Sequence, residues 1–209
     1  MILNIVRNIQ WLGHSGFQIF SDRGSLAIDP YKLKHFFPAD IILITHPHFD
    51  HCSVDDIRRI QTPSSVIITE AESAEKLEGD VRIVRPGDRL KVRGFEIEAV
   101  PAYNTQKSFH LKRKNWLGFV IATGGTRIYH AGDTDLIPEM DDIKADIALL
   151  PVSGTYVMNV DAAVEAVRRL KCRIAIPMHY GAIIGAEKDA DEFKRRLEGI
   201  CDVVILQSE

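Results

Sequence analysis

The sequence predicts an α+β molecule in which two β-sheets pack face to face with helices on the outside. Three observations predict it. Short apolar or alternating runs bounded by glycine and proline recur along the whole chain, as strands do. Helical stretches fall between some of them rather than in a block of their own. The order of elements also repeats: each half offers a hairpin ending in an aspartate (Ile28-Asp29 and Gly132-Asp133), then an Ala-Asp-Ile strand (39–45 and 145–150), then further strand and helix units. A duplicated ββ(αβ) unit of this kind is satisfied by packing one sheet against the other.

Taken in order, the first half reads as strands at about 17–20, 25–28, 41–45, 65–69, 81–84, 90–93 and 95–100. Ser53, with Asp56 three residues later, makes a capping-box-like start for a helix through Ile60, and 71–77 is a second helix. In the second half, strands at 117–123 and 126–130 flank a Gly124-Gly125 hairpin turn. Further strands follow at 146–150, 173–177 and 202–206, with helices near 160–171 and 187–199. The stretch 104–115 is the longest without periodicity and the most basic; it reads as a surface loop, with contact to substrate as the alternative. No Pro/Gly/Ser-rich linker divides the chain, so 1–209 is a single domain.

A net charge of −3 provides no basic field, which argues against a dedicated nucleic-acid binder. The opening MILNIVRNIQWLG lacks a basic segment followed by a continuous apolar stretch, and no apolar run reaches about 18 residues, so a soluble cytoplasmic protein is expected. Cys52, Cys172 and Cys201 are odd in number and contain no Cys-x-x-Cys, which fits a reducing compartment and indicates neither a disulfide framework nor a cysteine zinc knuckle.

The densest chemistry lies in Thr45-His46-Pro47-His48-Phe49-Asp50-His51, three histidines and a carboxylate within six residues between a strand and a helix. A turn needed only for its shape would use glycine, asparagine or serine. Imidazole and carboxylate together are natural ligands for zinc, manganese or iron, and a strand-to-helix turn can aim them at one point.

His46-Pro47-His48-Phe49-Asp50-His51 resembles the His-x-His-x-Asp-His signature of the metallo-β-lactamase superfamily. Gly13-His14-Ser15-Gly16-Phe17 with Ile28-Asp29-Pro30 resembles the start of its ascorbate-phosphate lactonase-like and metal-dependent hydrolase branches. Tyr129-His130-Ala131-Gly132-Asp133-Thr134-Asp135 is similar to the motif whose aspartate bridges two metals, and Pro177-Met178-His179-Tyr180-Gly181 to the one that supplies the last histidine. The resemblance implies a four-layer αββα sandwich. It implies one metal site formed by Asp50, His51, Asp133 and His179, and a second shared by His46, His48 and Asp133. The family's usual histidine after strand 95–100 is missing from Val100-Pro101-Ala102-Tyr103-Asn104, and either Asn104 or His110 is expected to replace it, the Ala-Tyr-Asn…Phe-His pattern favouring His110. One or two divalent ions are implied, zinc first, with manganese or iron as alternatives.

Asp50 is expected to act in catalysis as well as binding metal, orienting an activated water or shuttling its proton. The resemblance brings His14 near the metals in a substrate-binding role. Asp29 would fix a ligand tautomer, His130 and Cys52 would be structural, and His35 would pack beside Phe36 and Phe37. Ser15 and Ser153 lack a Gly-x-Ser-x-Gly setting and are not nucleophiles. The implied activity is hydrolysis of an ester-type bond in a small molecule, a lactone or phosphodiester first. A nuclease of the same fold, a non-catalytic binding module and a redox protein are the rivals, the last opposed by the lack of a flavin domain.

Overall fold

The computed structural model describes residues 6–208. Its first half opens as an antiparallel meander: β1 (Ile9–Gly13), β2 (Gly16–Ser21) and β3 (Gly24–Ile28) pair in sequence. From β3 onward the pairing becomes parallel, through β4 (Ala39–Leu43), β5 (Gln61–Thr69) and β6 (Asp80–Ile83), in a six-stranded sheet ordered as in sequence. Parallel neighbours need crossovers. Loop 29–38 supplies the first of these, and α1 (Val54–Ile60) and α2 (Ala71–Ala74) supply the others.

The second half repeats the plan. An antiparallel run β7 (Arg89–Val92), β8 (Phe95–Pro101), β9 (Leu117–Thr123) and β10 (Thr126–His130) leads into parallel β11 (Ile147–Pro151), β12 (Ile174–Met178) and β13 (Asp202–Val203). Helices α3 (Val160–Leu170) and α4 (Glu187–Arg196) make the late crossovers. The expected αββα sandwich is therefore observed, and its duplicated topology is visible in the strand pairing.

Alternation along the parallel strands assigns the layers. Leu26, Ile28, Ile41, Leu43, Val66 and Ile68 face the second sheet in one shared core with residues such as Ile97, Phe119 and Ile128. Their neighbours Ala27, Ile42, Ile44 and Ile67 face the other way, against Ile57 and Ile60 of α1.

Several local expectations are corrected. Strand β1 had no counterpart in the sequence reading, because Ile9 and Trp11 are too short a run to announce alternation. Helix α2 stops at Ala74 instead of 77; the Glu70 carboxylate accepts from the Glu72 and Ser73 amides and holds a single turn. At α1 no capping box forms, since Ser53 Oγ donates to Asp56 Oδ2, which also accepts from the Lys32 amide. The last strand covers only 202–203, α4 ends at Arg196 with Gly199 beyond it in the left-handed region, and His35 is exposed rather than packed. Among the described residues no helix is long and apolar enough to cross a membrane; of the segment 1–13 read for a leader, residues 1–5 lie outside the described ones.

The topology places one edge apart from the rest. Strands β1, β3 and β4 of one sheet run in the same direction, as do β8, β10, β11 and β12 of the other. The loops after these seven strands carry His14, Asp29, His46 to His51, Asn104 to His110, Asp133, Ser153 and His179. Carboxyl ends of parallel strands are where open α/β sheets build their sites.

Candidate metal centre

Asp29, wholly buried and left-handed at φ 43°, anchors the centre. It accepts from the Thr45 amide (2.8 Å), the Thr45 hydroxyl (2.6 Å) and His51 Nδ1 (2.7 Å). With its proton committed to Asp29, the Thr45 hydroxyl accepts from His46 Nδ1 at 2.9 Å. The turn itself closes when the His51 and Cys52 amides donate to the His48 carbonyl.

Asn104 performs the same service for His110. Its Oδ1 accepts from both the amide and Nδ1 of His110, at 3.0 and 3.1 Å, while its Nδ2 donates to the Tyr156 carbonyl. His179, at φ 61°, has Nδ1 3.0 Å from Ser153 Oγ and donates its amide to the His14 carbonyl. Gly132 sets Asp133 in place: at φ 63° a Cβ there would lie 2.4 Å from the Leu117 carbonyl oxygen.

The inner nitrogens converge on Asp133. Its Oδ1 is 3.3 Å from His51 Nε2, and its Oδ2 is 3.1 Å from His179 Nε2, 3.3 Å from His110 Nε2 and 3.9 Å from His46 Nε2. His46 Nε2 lies 3.0 Å from His48 Nδ1. On the other side, His14 Nε2 donates to Asp50 Oδ2 at 3.0 Å, and that oxygen is 3.8 Å from His51 Nε2. Three sets of candidate ligand atoms result, each within 4.8 Å of one another: His46, His48 and His110; His14, Asp50, His51 and His179; His46, His51 and Asp133.

With their outer nitrogens donating to Asp29 and Asn104, His51 and His110 turn bare lone pairs toward a carboxylate whenever both imidazoles are neutral. Acceptors facing acceptors in a dry interior are costly unless a cation lies between them. Accordingly His51 Nε2, His110 Nε2 and Asp133 Oδ1 are all buried without a hydrogen-bond partner. This donor set fits a pair of divalent metals, and an imidazole whose far nitrogen is held by oxygen is the usual arrangement around one.

The titration of the metal-free cluster follows from crowding. Burial lowers His46 well below its ordinary value, helped by the neighbouring His51, and burial likewise lowers His48 and His14. For His51 burial works in the same direction, but Asp133 and Asp29 overcome it and raise the group well above. Burial works to raise Asp133 and Asp50; His179 and His51 outweigh it at Asp133, and the His14 hydrogen bond with the His51 charge outweighs it at Asp50, so both carboxyls lie below the ordinary range.

All eight residues singled out from the sequence, His14, His46, His48, Asp50, His51, His110, Asp133 and His179, meet at this edge. Asn104 does not join them as an oxygen donor, since its Oδ1 is spent on His110. Cys52 stays outside, its buried thiol pushed up to about 11, and His130 is satisfied by the Ser15 carbonyl and the Gly132 amide. Sequence reasoning missed Ser153 as the partner of His179, as well as Trp116, whose ring packs 4.9 Å from those of His46 and His48. Neither carries a local motif.

Residues 8–179 match the model of the Beta-lactamase superfamily domain. A UPF0173 metal-dependent hydrolase of Thermoplasma acidophilum is 37% identical over 202 residues, covering 89% of this chain and 88% of that protein. A second, from Methanopyrus kandleri, is 31% identical over 95% of this chain and 96% of its own length. Among solved structures, Igni18, described as a novel metallo hydrolase of the archaeon Ignicoccus hospitalis, superposes with a TM-score of 0.80 at 28% identity, covering 95% of this chain and 94% of that one.

Proposed function

The chain belongs to the β-lactamase superfamily and is a metal-dependent hydrolase, and from that premise we propose that it cleaves an ester-type bond in a small molecule, a lactone or a phosphodiester, with two zinc ions bound. The observation that carries this reading is the trio of buried, partnerless ligand atoms on His51, His110 and Asp133. His46, His48 and His110 would hold one ion, Asp50, His51 and His179 would hold the other, and Asp133 would serve both. Metals in such a site supply Lewis acidity and acidify water near neutral pH.

The chain's own residues position and relay. Asp50 is the most exposed of the cluster's carboxylates, its side chain 13% accessible against 4% for Asp133 and none for Asp29. Held ionised by the His14 N–H, it is placed to take a proton from attacking water and return it to the leaving oxygen. His14 is the positioning residue for that carboxylate.

Against the nuclease reading, the three lysines of loop 104–115 are paired, Lys107 with Asp135, Lys112 with Glu139 and Lys114 with Glu72, which leaves Arg113 as the loop's one basic side chain without a carboxylate partner among the described residues. Retention of Asp50 weighs against a binding-only module.

The test pairs hydrolysis of a lactone, a bis-aryl phosphodiester and a thioester with metal removal by chelator. Turnover of the lactone or phosphodiester that vanishes on chelation and returns with zinc is expected. Turnover indifferent to chelation would overturn the reading.

A further inference from the structure

The loops that carry the candidate ligands also carry large apolar side chains facing water. Phe49, between His48 and Asp50, is 67% exposed; Phe109, immediately before His110, is 49% exposed; Ile183, four residues past His179, is 41% exposed. Tyr31, two residues past Asp29, sets its ring 5.8 Å from Phe49 and 6.2 Å from His14. Phe109 packs edge-on to Tyr156 at 4.7 Å, and the Tyr156 carbonyl is the group that anchors Asn104 behind His110. Turns needing only their backbone shape carry polar residues, and clustered exposed apolar side chains mark binding surfaces.

Charge around this rim is mixed. Lys107 is paired with Asp135, whereas the Lys32 ammonium lies over the Tyr31 ring at 5.2 Å and the Lys76 ammonium donates to the Pro47 carbonyl, neither with a carboxylate partner among the described residues.

We propose that the pairs Phe49 with Tyr31 and Phe109 with Tyr156 form the substrate-binding rim, and that the substrate carries a hydrocarbon or aryl arm that lies across them. The inference rests on the metal-dependent hydrolase reading and adds to it the kind of substituent the substrate bears beside its scissile bond. Continuity decides the occupant: Phe49 and Phe109 are each adjacent in sequence to a candidate ligand, so a group seated on them is within reach of the metals.

The experiment is calorimetric binding of acetohydroxamate and octanohydroxamate to the zinc-loaded protein, whose shared head group reads the metals and whose chains read the rim. Octanohydroxamate should bind at least about tenfold more tightly, since each buried methylene adds affinity. Phe49→Ala and Phe109→Ala should each bring that ratio toward one, Phe49→Leu should keep most of it, and Phe20→Ala, at the far end of β2, should leave it unchanged. Equal affinity of the wild-type protein for both chains, or a ratio unmoved by Phe49→Ala and Phe109→Ala, overturns the rim while leaving the metal reading intact. Failure of both hydroxamates to bind overturns the metal reading and the rim with it.

Discussion

Four imidazoles in this molecule are aimed by oxygen atoms behind them: His51 by Asp29, His46 by Thr45, His110 by Asn104 and His179 by Ser153. Losing such a partner typically costs about 10–100-fold in metal affinity, so Asn104→Ala is expected to weaken one of the two ions by that factor and spare the other, as read by competition with a fluorescent chelator. Asp50 presents a different case, because on the proposed reading its carboxylate serves proton transfer more than the fold. Asp50→Asn should lower kcat by about 10²–10⁴-fold, with the thermal midpoint of the metal-free protein lowered only by the loss of the charged Asp50 partner of His14 and His51. In that metal-free state His51, raised above 6.5, contributes stability that is complete below its unfolded pKa and is lost as pH rises through the folded one. Asp133, depressed below 3.8, contributes stability present above its unfolded pKa and lost as pH falls through the folded one. A metal bound by His51 would have to displace its proton. Zinc added to the metal-free protein in weak buffer at about pH 6.5 should therefore release protons, and a titration without acidification would remove His51 from the ligand set.

At the scale of elements, the ligands depend on where strands stop. Asp133 follows Gly132, whose left-handed φ of 63° and missing Cβ let the chain pass the Leu117 carbonyl. Gly132→Ala adds about 1–3 kcal/mol of backbone strain as well as that clash, and is expected to lower the urea midpoint and the metal content together. The His-x-His-x-Asp-His turn was legible in the sequence because its ligands are adjacent, and most strands were legible because their alternation or continuous apolar runs are strong. His110 was legible only as one of two candidates: loop 104–115 has no periodicity, and the choice is made by hydrogen bonds from Asn104 that spacing does not reveal. Ser153 was invisible for another reason. It reaches His179, 26 residues away, because β11 and β12 pair in parallel with Pro151 opposite Met178. Strand β1 escaped because so few residues carry its signal, and α2, read as 71–77, was overrun at its C-terminal end.

For the whole molecule, the duplication matters because neither half holds a complete centre. The first sheet's loops contribute His14, Asp29, His46, His48, Asp50 and His51; the second sheet's contribute His110, Asp133 and His179. Metal bound by these residues would bridge the two halves and add to the stability of their packing, since a ligand bound only to the folded state stabilises it increasingly with its affinity. Removing metal with a chelator is expected to lower the thermal midpoint, measured by scanning calorimetry, and zinc should restore it. The central claim, a dinuclear centre shared through Asp133, is tested most directly by the zinc content per chain of wild type, His110→Ala and Asp133→Ala after loading and desalting. The account predicts two ions in the wild type, one after loss of His110 and none after loss of Asp133. A wild-type chain that retains no metal, or an Asp133→Ala chain that still holds two ions, would contradict it.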